Sequence, residues 1–223
     1  MLSDWGQLES GEHRISLVGG AGVIEAIVHI PKGFHDARTK AVAICCHPHP
    51  LYEGSMTNKV VHTLAKTFSK LGLVSIRFNF RGVGRSEGKH DNTIGESTDV
   101  VLICQQVIKR FPKAQIWLSG FSFGSFIAAN VAHEVNAAQL ISISPAVEHY
   151  DFTEVVDPGC PWLVVMGDED DIVTPSAVDH WINMSPERYD YFQFPDTGHF
   201  YHGKLVKLSD LLLQQFQPVV EAI

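Results

Sequence analysis

Short apolar runs that alternate with helix-spaced stretches constrain the fold of this 223-residue chain more than any other feature of its sequence. Short, continuous apolar runs are typical of strands buried on both faces of a parallel sheet. Between them, apolar residues recur every three or four positions, as they do on one face of a helix. Alternating strands and helices predict an α/β fold, a mostly parallel central sheet with helices on both faces. The five predicted strands are Ala41–Cys46, Leu73–Phe78, Ile116–Ser119, Leu140–Ser144 and Trp162–Met166.

The two ends of the chain carry further strand and helix patterns. Arg14–Leu17 and Val23–Ile30 flank a glycine-rich turn, which predicts an opening hairpin. Tyr189–Phe194 predicts one more strand, and the apolar positions of residues 208–219 predict a closing amphipathic helix. No linker-like change in composition interrupts the chain, so we predict a single domain over residues 1–223.

The composition is typical of a globular protein, and the charge reduces the classes of partner that the protein is expected to bind. Hydrophobic residues make up 45% of the sequence and charged residues 19%, which suits a folded domain with a buried core. The net charge of −8, without a basic stripe, argues against nucleic acid and anionic membranes as partners. The apolar runs are far shorter than the roughly 18 residues that a membrane-spanning helix needs.

The amino terminus and the cysteines favour a cytoplasmic location. Met1–Trp5 contains neither a basic segment nor an apolar one, so we expect no signal peptide. The four cysteines lack zinc-type spacing and indicate no disulfide framework. Cys45 and Cys46 are neighbours on a predicted strand, so their side chains are expected on opposite faces of the sheet.

The segment Gly120–Gly124 reads Gly-Phe-Ser-Phe-Gly, the pattern of a nucleophile elbow. In such an elbow a serine occupies a tight turn between a strand and a helix, and the glycines avoid side-chain clashes. The segment Gly84–Gly88 has the same pattern around Ser86, but it lies in a polar loop. Ser122 instead follows a predicted strand and opens a predicted helix over Phe123–Val135, so we predict that Ser122 is the nucleophile.

An acidic turn and a later histidine offer partners for this serine. A catalytic serine needs a histidine as its base and a carboxylate that orients the histidine. The turn after the strand Trp162–Met166 holds Asp168, Asp170 and Asp171. His199 follows the next predicted strand. The order of serine, acid and histidine along the chain is that of the α/β-hydrolases.

Three segments give nearly the whole chain a resemblance to the α/β-hydrolase superfamily. Asn79–Ser86 resembles the loop after the superfamily's fourth strand, and Gly167–Val173 resembles its acid motif. His47–Lys59, which begins His-Pro-His-Pro-Leu-Tyr, resembles a bacterial group of small, lidless serine hydrolases, similar in size to dienelactone hydrolases. Glu53 stands where we expect a glycine in that group.

The resemblance also selects among the candidate site residues. Its spacing favours Asp170 over Asp168 as the acid, and His199 over His202 as the base. It implies that Ser122 attacks a carbonyl carbon, that His199 acts as general base and then general acid, and that Asp170 fixes the histidine tautomer.

The oxyanion hole is expected to use two backbone N–H groups. One belongs to Phe123, the residue after the nucleophile, and the other comes from the loop after the first parallel strand. The two prolines of that loop have no N–H. We choose Leu51 as the second donor and keep His49 as the alternative. Arg81, in a glycine-rich turn, is expected to be structural.

These residues predict a serine hydrolase that cleaves carboxylester or thioester bonds of small molecules through an acyl-enzyme, without a metal or an organic cofactor. One alternative is a metal-dependent hydrolase that uses His47, His49, His199 and His202, but no acid closely follows His49 and the serine would be idle. The other is a non-catalytic binding module, although such proteins usually lack a triad member. The natural substrate and the oligomeric state stay open.

The connection after the strand Leu140–Ser144 is where this superfamily usually inserts a lid. Only Pro145–Pro161 separate that strand from the next, which suffices for a turn or one short helix but not for a multi-helix cap. We therefore expect an open site, bounded by the loop His47–Gly54 and the segment around Tyr150, with a preference for short or polar acyl groups.

Overall fold

The computed structural model describes residues 9–35 and 39–223, and strands and helices alternate along these ranges. The start of the chain, from which we expect no signal peptide, lies outside them. The strands are β1 (Gly11–Gly19), β2 (Gly22–Ile30), β3 (Ala41–Cys46), β4 (Val74–Phe78), β5 (Gln115–Phe121), β6 (Gln139–Ile143), β7 (Trp162–Gly167) and β8 (Asp190–Phe194). The helices are α1 (Lys59–Lys70), α2 (Ile94–Arg110), α3 (Phe123–Ala132), α4 (Pro175–Asn183) and α5 (Leu205–Ala222). The predicted elements are confirmed, with boundaries that differ by a few residues.

All eight strands form one sheet in the order β1-β2-β4-β3-β5-β6-β7-β8. The hairpin β1–β2 is antiparallel, and β2 pairs antiparallel with β4, whereas every pair from β4 to β8 is parallel. The chain moves outward in one direction from β3 to β4 and in the other direction from β5 to β8. Ligands of such sheets bind at the carboxyl ends of the strands where the direction reverses, which here lies between β3 and β5.

Apolar side chains form two core layers, one on each face of the sheet. Helices α2, α3 and α4 pack in one layer, and α1 and α5 pack in the other. Cys46 belongs to the first layer and Cys45 to the second, as the alternation of side chains along a strand predicts. The predicted α/β fold with helices on both faces is therefore confirmed.

The connection from β6 to β7, residues 144–161, is short and carries no cap. Its regular structure is a single 3₁₀ turn at Phe152–Glu154, and this part of the chain is described throughout. The expected absence of a multi-helix lid is thus a property of the fold. Among the described residues, no helix combines the length and the apolar character needed to cross a membrane.

Candidate active site

Ser122 forms the whole turn between β5 and α3. The strand ends at Phe121, the helix begins at Phe123, and Ser122 between them has φ 54° and ψ −116°. A side chain in this region of backbone space costs about 1–3 kcal/mol, and such strain persists only where the surroundings enforce it. Here the Ser122 N–H donates to the Ile143 carbonyl (2.9 Å), and the Ser122 carbonyl accepts from the Ser125 N–H (3.0 Å).

The two glycines of the elbow are required by close backbone contacts. A Cβ at Gly120 would clash with the carbonyl of Gly124, one turn along the elbow. A Cβ at Gly124 would clash with the carbonyls of Cys46 and His47, at the end of β3. The glycines therefore let α3 approach both its own strand and the loop expected to supply the second oxyanion donor.

Ser86, which has the same sequence pattern, has a structural role. It is buried, its Oγ donates to the Asn79 carbonyl (2.7 Å), and the same atom accepts from the Glu25 N–H (2.9 Å). These bonds tie the loop after β4 to strand β2. The hydroxyl of Ser86 is thus engaged by backbone groups and does not line the cavity that contains Ser122.

Asp170 and His199 form a buried hydrogen-bonded pair at the carboxyl ends of β7 and β8. His199 Nδ1 lies 2.8 Å from Asp170 Oδ2, and the side chains are only 2% and 0% exposed. Asp170 Oδ1 accepts from the N–H groups of Ile172 (3.0 Å) and Val173 (2.9 Å). Phe121 packs against the imidazole ring at 4.8 Å between centroids. Both groups are therefore fixed, and Nε2 is the imidazole nitrogen left for other partners.

The environment of Asp170 favours its ionised form. Burial acts to raise the pKa of this carboxyl, but the hydrogen bond and the charge of His199, with the two backbone N–H groups, lower the pKa below its ordinary value. An ionised carboxylate on Nδ1 directs the imidazole proton to that nitrogen, so Nε2 can accept a proton.

The neighbouring candidates Asp168 and His202 have other positions. Asp168 Oδ1 accepts from the Thr197 N–H (3.2 Å), and the Glu169 N–H donates to the Thr197 carbonyl (3.0 Å). Asp168 therefore joins the acid turn to the turn that carries His199. His202 is exposed and lines a separate cleft next to the site.

Ser122, Phe123 and His199 line one cavity of about 660 Å³. Among the residues that the structure describes, Ser122 Oγ has no hydrogen-bond partner within 3.5 Å, and Ser122 and His199 are related by lining the same cavity. Apo sites often have such loose catalytic contacts. The remaining walls come from the loop after β3 and the connection after β6, as expected, and from the residues that follow Asp170 and His199. These further lining residues include Pro48, His49, Tyr52, Ala146, His149, Tyr150, Ile172 and Phe200.

The expected oxyanion donors differ in their surroundings. The Phe123 N–H is the first of helix α3 and has no intrahelical acceptor. The Leu51 N–H donates to His49 Nδ1 (3.1 Å), its side chain is 69% exposed, and the residue does not line the cavity. The His49 N–H meets no acceptor in the described part of the chain, and His49 does line the cavity. The short turn at Pro50–Tyr52 thus directs the Leu51 N–H back to the His49 ring.

His47 fixes the start of this loop. It is fully buried, its Nδ1 donates to the Pro48 carbonyl (2.6 Å), and its Nε2 accepts from the Phe80 N–H (2.9 Å). Burial is the main reason that its pKa is lowered to about 3, so the ring is neutral at pH 7.

Further along the loop, Met56 is held at both backbone groups. Its N–H donates to Asn79 Oδ1 (2.9 Å), and its carbonyl accepts from Arg77 Nη1 (2.9 Å). This role of Arg77 and Asn79 was not predicted from the sequence, although polar side chains at the end of an otherwise buried strand were a signal for it.

The proposed histidine metal site does not form. Both ring nitrogens of His47 have protein partners, and His199 Nδ1 is bound to Asp170. Throughout residues 9–35 and 39–223, no three His, Cys, Asp or Glu side chains are arranged to hold a metal ion. Arg81 is structural, as expected, because its guanidinium binds both carboxylate oxygens of the buried Asp99 (2.7 and 2.8 Å).

Comparisons with known proteins agree with the fold. A family model described as serine aminopeptidase, S33, matches residues 53–157. An uncharacterized protein of Rickettsia prowazekii (strain Madrid E) is 37% identical over 180 residues, 75% of each chain. The structure of an α/β serine hydrolase homologue from Coxiella burnetii has a TM-score of 0.87 and 38% identity over 94% of this chain and 99% of that one.

A further solved structure shares the absence of a cap. An α/β serine hydrolase without a lid from Xanthomonas campestris has a TM-score of 0.88 and 35% identity, covering 96% of this chain and 97% of that one. By sheet order, sequence identity and coverage, the chain belongs to the α/β serine hydrolase superfamily, and its structure closely matches those of small lidless bacterial members.

Proposed function

We propose that this protein hydrolyses ester-like bonds of small molecules through an acyl-enzyme, with Ser122, His199 and Asp170 as the catalytic triad. The observation that carries the proposal is the 2.8 Å contact between His199 and the buried Asp170 at the edge of a cavity that Ser122 also lines. The elbow holds Ser122 at the carboxyl end of β5, on the same side of the sheet as this pair.

The reaction begins with proton transfer from Ser122 Oγ to His199 Nε2. Oγ attacks the carbonyl carbon of the substrate, and the resulting imidazolium is stabilised by the Asp170 carboxylate. The tetrahedral intermediate then collapses as Nε2 protonates the departing alcohol or thiol. Water enters, His199 takes its proton, and attack on the acyl-enzyme releases the acid and restores Ser122.

The negative charge of the intermediate is placed on an oxygen that backbone N–H groups stabilise. We assign these donors to Phe123, at the amino terminus of α3, and to His49 in place of Leu51. The helix dipole adds partial positive charge at this position. Loss of one such donor commonly costs about 10²–10³ in kcat. A thioester has the same oxyanion, so this site is suited to both substrate classes.

Labelling with a fluorophosphonate probe tests the proposal. We expect the wild-type protein to form a covalent adduct, Ser122→Ala to form none, and Ser86→Ala to label like wild type. Ser122→Ala should also lower kcat for p-nitrophenyl acetate by about 10⁵–10⁶, because the triad acts as a unit. Labelling that is lost in folded Ser86→Ala but kept in Ser122→Ala would assign the nucleophile to the other loop.

The same experiment separates the alternatives. A non-catalytic binding module takes no label and hydrolyses no ester. A metal-dependent hydrolase loses activity on addition of a chelator, whereas a serine hydrolase keeps its rate.

A further inference from the structure

A second cleft of about 260 Å³ adjoins the catalytic cavity. The two share Glu53, Asn58 and Phe200 as walls, so they are neighbours separated by these side chains. The cleft is also lined by Thr57, just before α1, by Lys59, the first residue of α1, and by His202 from the turn after β8. Its walls are mostly polar, in contrast to the rings that line the catalytic cavity.

Because Phe200 directly follows His199, the cleft lies next to the position that the leaving group of a substrate would occupy. His199 must protonate the leaving oxygen, so the leaving group lies next to His199 when the tetrahedral intermediate collapses. Phe200 directly follows His199, packs against its ring at 5.1 Å between centroids, and forms the shared wall of cavity and cleft. A leaving group that extends past Phe200 enters the polar cleft.

The polar groups of the cleft have both signs of charge and free hydrogen-bonding capacity. Within the described residues, neither the Glu53 carboxylate nor the Lys59 ammonium has an ion-pair partner within 4.0 Å. Asn58 Oδ1 caps α1 by accepting from the Val60 N–H (2.9 Å), and its Nδ2 donates to no acceptor in this same part of the chain. Side chains that can accept and side chains that can donate hydrogen bonds therefore line one small space.

This combination indicates the chemistry of the leaving group. An anion would meet the Glu53 carboxylate, and a cation would meet Lys59, so a single net charge is not favoured. A neutral group with several hydroxyls both donates and accepts hydrogen bonds and suits such a set. Phe200, 42% exposed, offers an apolar ring face against which the C–H groups of such a molecule can pack.

We propose that the cleft is a leaving-group subsite for a neutral polyhydroxylated alcohol, so that the substrates are acylated sugars or polyols. This inference rests on the proposed function and adds the class of alcohol that the enzyme releases. Lys59, Glu53 and Asn58 are the specificity-determining residues, and Phe200 is the packing surface.

Three acetates with different alcohols test the subsite. They are glucose acetylated on its primary hydroxyl, cyclohexylmethyl acetate as the apolar mimic of similar size, and an acetate of a hydroxycarboxylate as the anionic mimic. We expect wild-type kcat/KM to be at least roughly tenfold higher for the sugar ester than for either mimic, since several hydrogen bonds distinguish them. Lys59→Met should reduce the ratio of sugar ester to cyclohexylmethyl ester roughly tenfold, mainly through KM. Lys66→Met, an exposed change on the same helix outside the cleft, is the matched control and should keep the wild-type ratio.

The outcomes separate this inference from the proposed function. Equal kcat/KM for the sugar and cyclohexylmethyl esters, or a preference for the anionic ester, overturns the subsite while the serine hydrolase stands. A ratio that Lys59→Met and Lys66→Met change equally also overturns it. A protein that takes no fluorophosphonate label and cleaves no acetate overturns the proposed function and the subsite with it.

Discussion

At the scale of single residues, Asp168 and Asp170 lie two positions apart in one acidic turn but have different partners. Asp170 binds His199 Nδ1, whereas Asp168 accepts from the backbone of Thr197. Asp170→Asn keeps the size of the side chain but favours the wrong tautomer of His199, so we expect kcat for p-nitrophenyl acetate to fall by about 10⁴. His199→Ala should cost nearly as much as the loss of Ser122.

Two matched variants check this assignment. Asp168→Asn is matched to Asp170→Asn, and His202→Ala is matched to His199→Ala. Each of these controls should lower kcat far less than the variant to which it is matched. Equal losses for Asp168→Asn and Asp170→Asn would mean that the turn as a whole, and not the Asp170 carboxylate, supports the histidine.

His47 makes stability depend on pH. Its pKa is lowered from 6.5 to about 3 in the folded protein, so the unfolded chain binds the proton more tightly. The stability that neutral His47 contributes is present above its unfolded pKa and is lost as pH falls towards 3. Between pH 7 and pH 5 this residue alone should lower the free energy of unfolding by about 2 kcal/mol. Denaturant unfolding at the two pH values measures the loss.

A comparison of variants isolates that contribution from other titrating groups. His47→Gln should show a smaller drop between the two pH values than wild type, and His202→Gln, at an exposed position, should keep the wild-type drop. If His47→Gln shows the full drop, the acid sensitivity arises elsewhere.

At the scale of elements, the elbow depends on how closely α3 approaches the end of β3. Gly124→Ala introduces a Cβ against the backbone carbonyls of Cys46 and His47, which cannot rotate away. We expect the loop after β3 to shift with its oxyanion donor, so kcat should fall at least tenfold and Tm by several degrees. Asn130→Ala, at an exposed position of the same helix, should leave kcat unchanged. Unchanged kcat in Gly124→Ala would show that the loop is not held by this contact.

The elements were predictable where a local pattern decides them. The strand Ala41–Cys46 was predicted to the residue because an uninterrupted apolar run fills both core layers. Helix α3 was predicted to reach Val135 but ends at Ala132, and residues 133–136 form turns. The end was placed wrongly because no glycine or proline, the usual signals for the end of a helix, stands there. Short-range periodicity indicates which elements exist better than where each one ends.

The candidate site was predictable where its residues follow parallel strands, because the ends of such strands meet at one edge of the sheet. Ser122, Asp170 and His199 each follow a strand, and parallel strands bring such positions to one edge. The choice between Leu51 and His49 could not be made this way, because it depends on where a loop directs each N–H. The short turn at Pro50–Tyr52 sets that direction for Leu51. The loop around the turn is held by contacts that are distant in sequence, among them the bond from Phe80 to His47 and those from Arg77 and Asn79 to Met56.

At the scale of the whole molecule, the short connection of residues 144–161 leaves the cavity without a cover. An uncovered cavity buries little of a long acyl chain, and each CH₂ left in water forfeits about 0.8 kcal/mol of binding. We therefore expect kcat/KM for p-nitrophenyl esters to be highest among short acyl groups and not to rise with chain length from acetate to palmitate.

Micelles supply the control for this prediction. Detergent should produce no jump in rate at the lipid–water interface, because there is no lid to displace. A maximum at laurate or longer, or activation by micelles, would contradict an open site.

The open connection after β6 has a consequence for what becomes of the acyl group. In an enzyme with a lid, closure of the lid over the acyl-enzyme limits which second nucleophile can reach the acyl group. Here the acyl group on Ser122 would stay in contact with bulk solvent, so water and any dissolved alcohol would compete for it according to their concentrations and fit. The proposed hydrolase would then also be a transferase, exchanging acyl groups among alcohols when water is scarce.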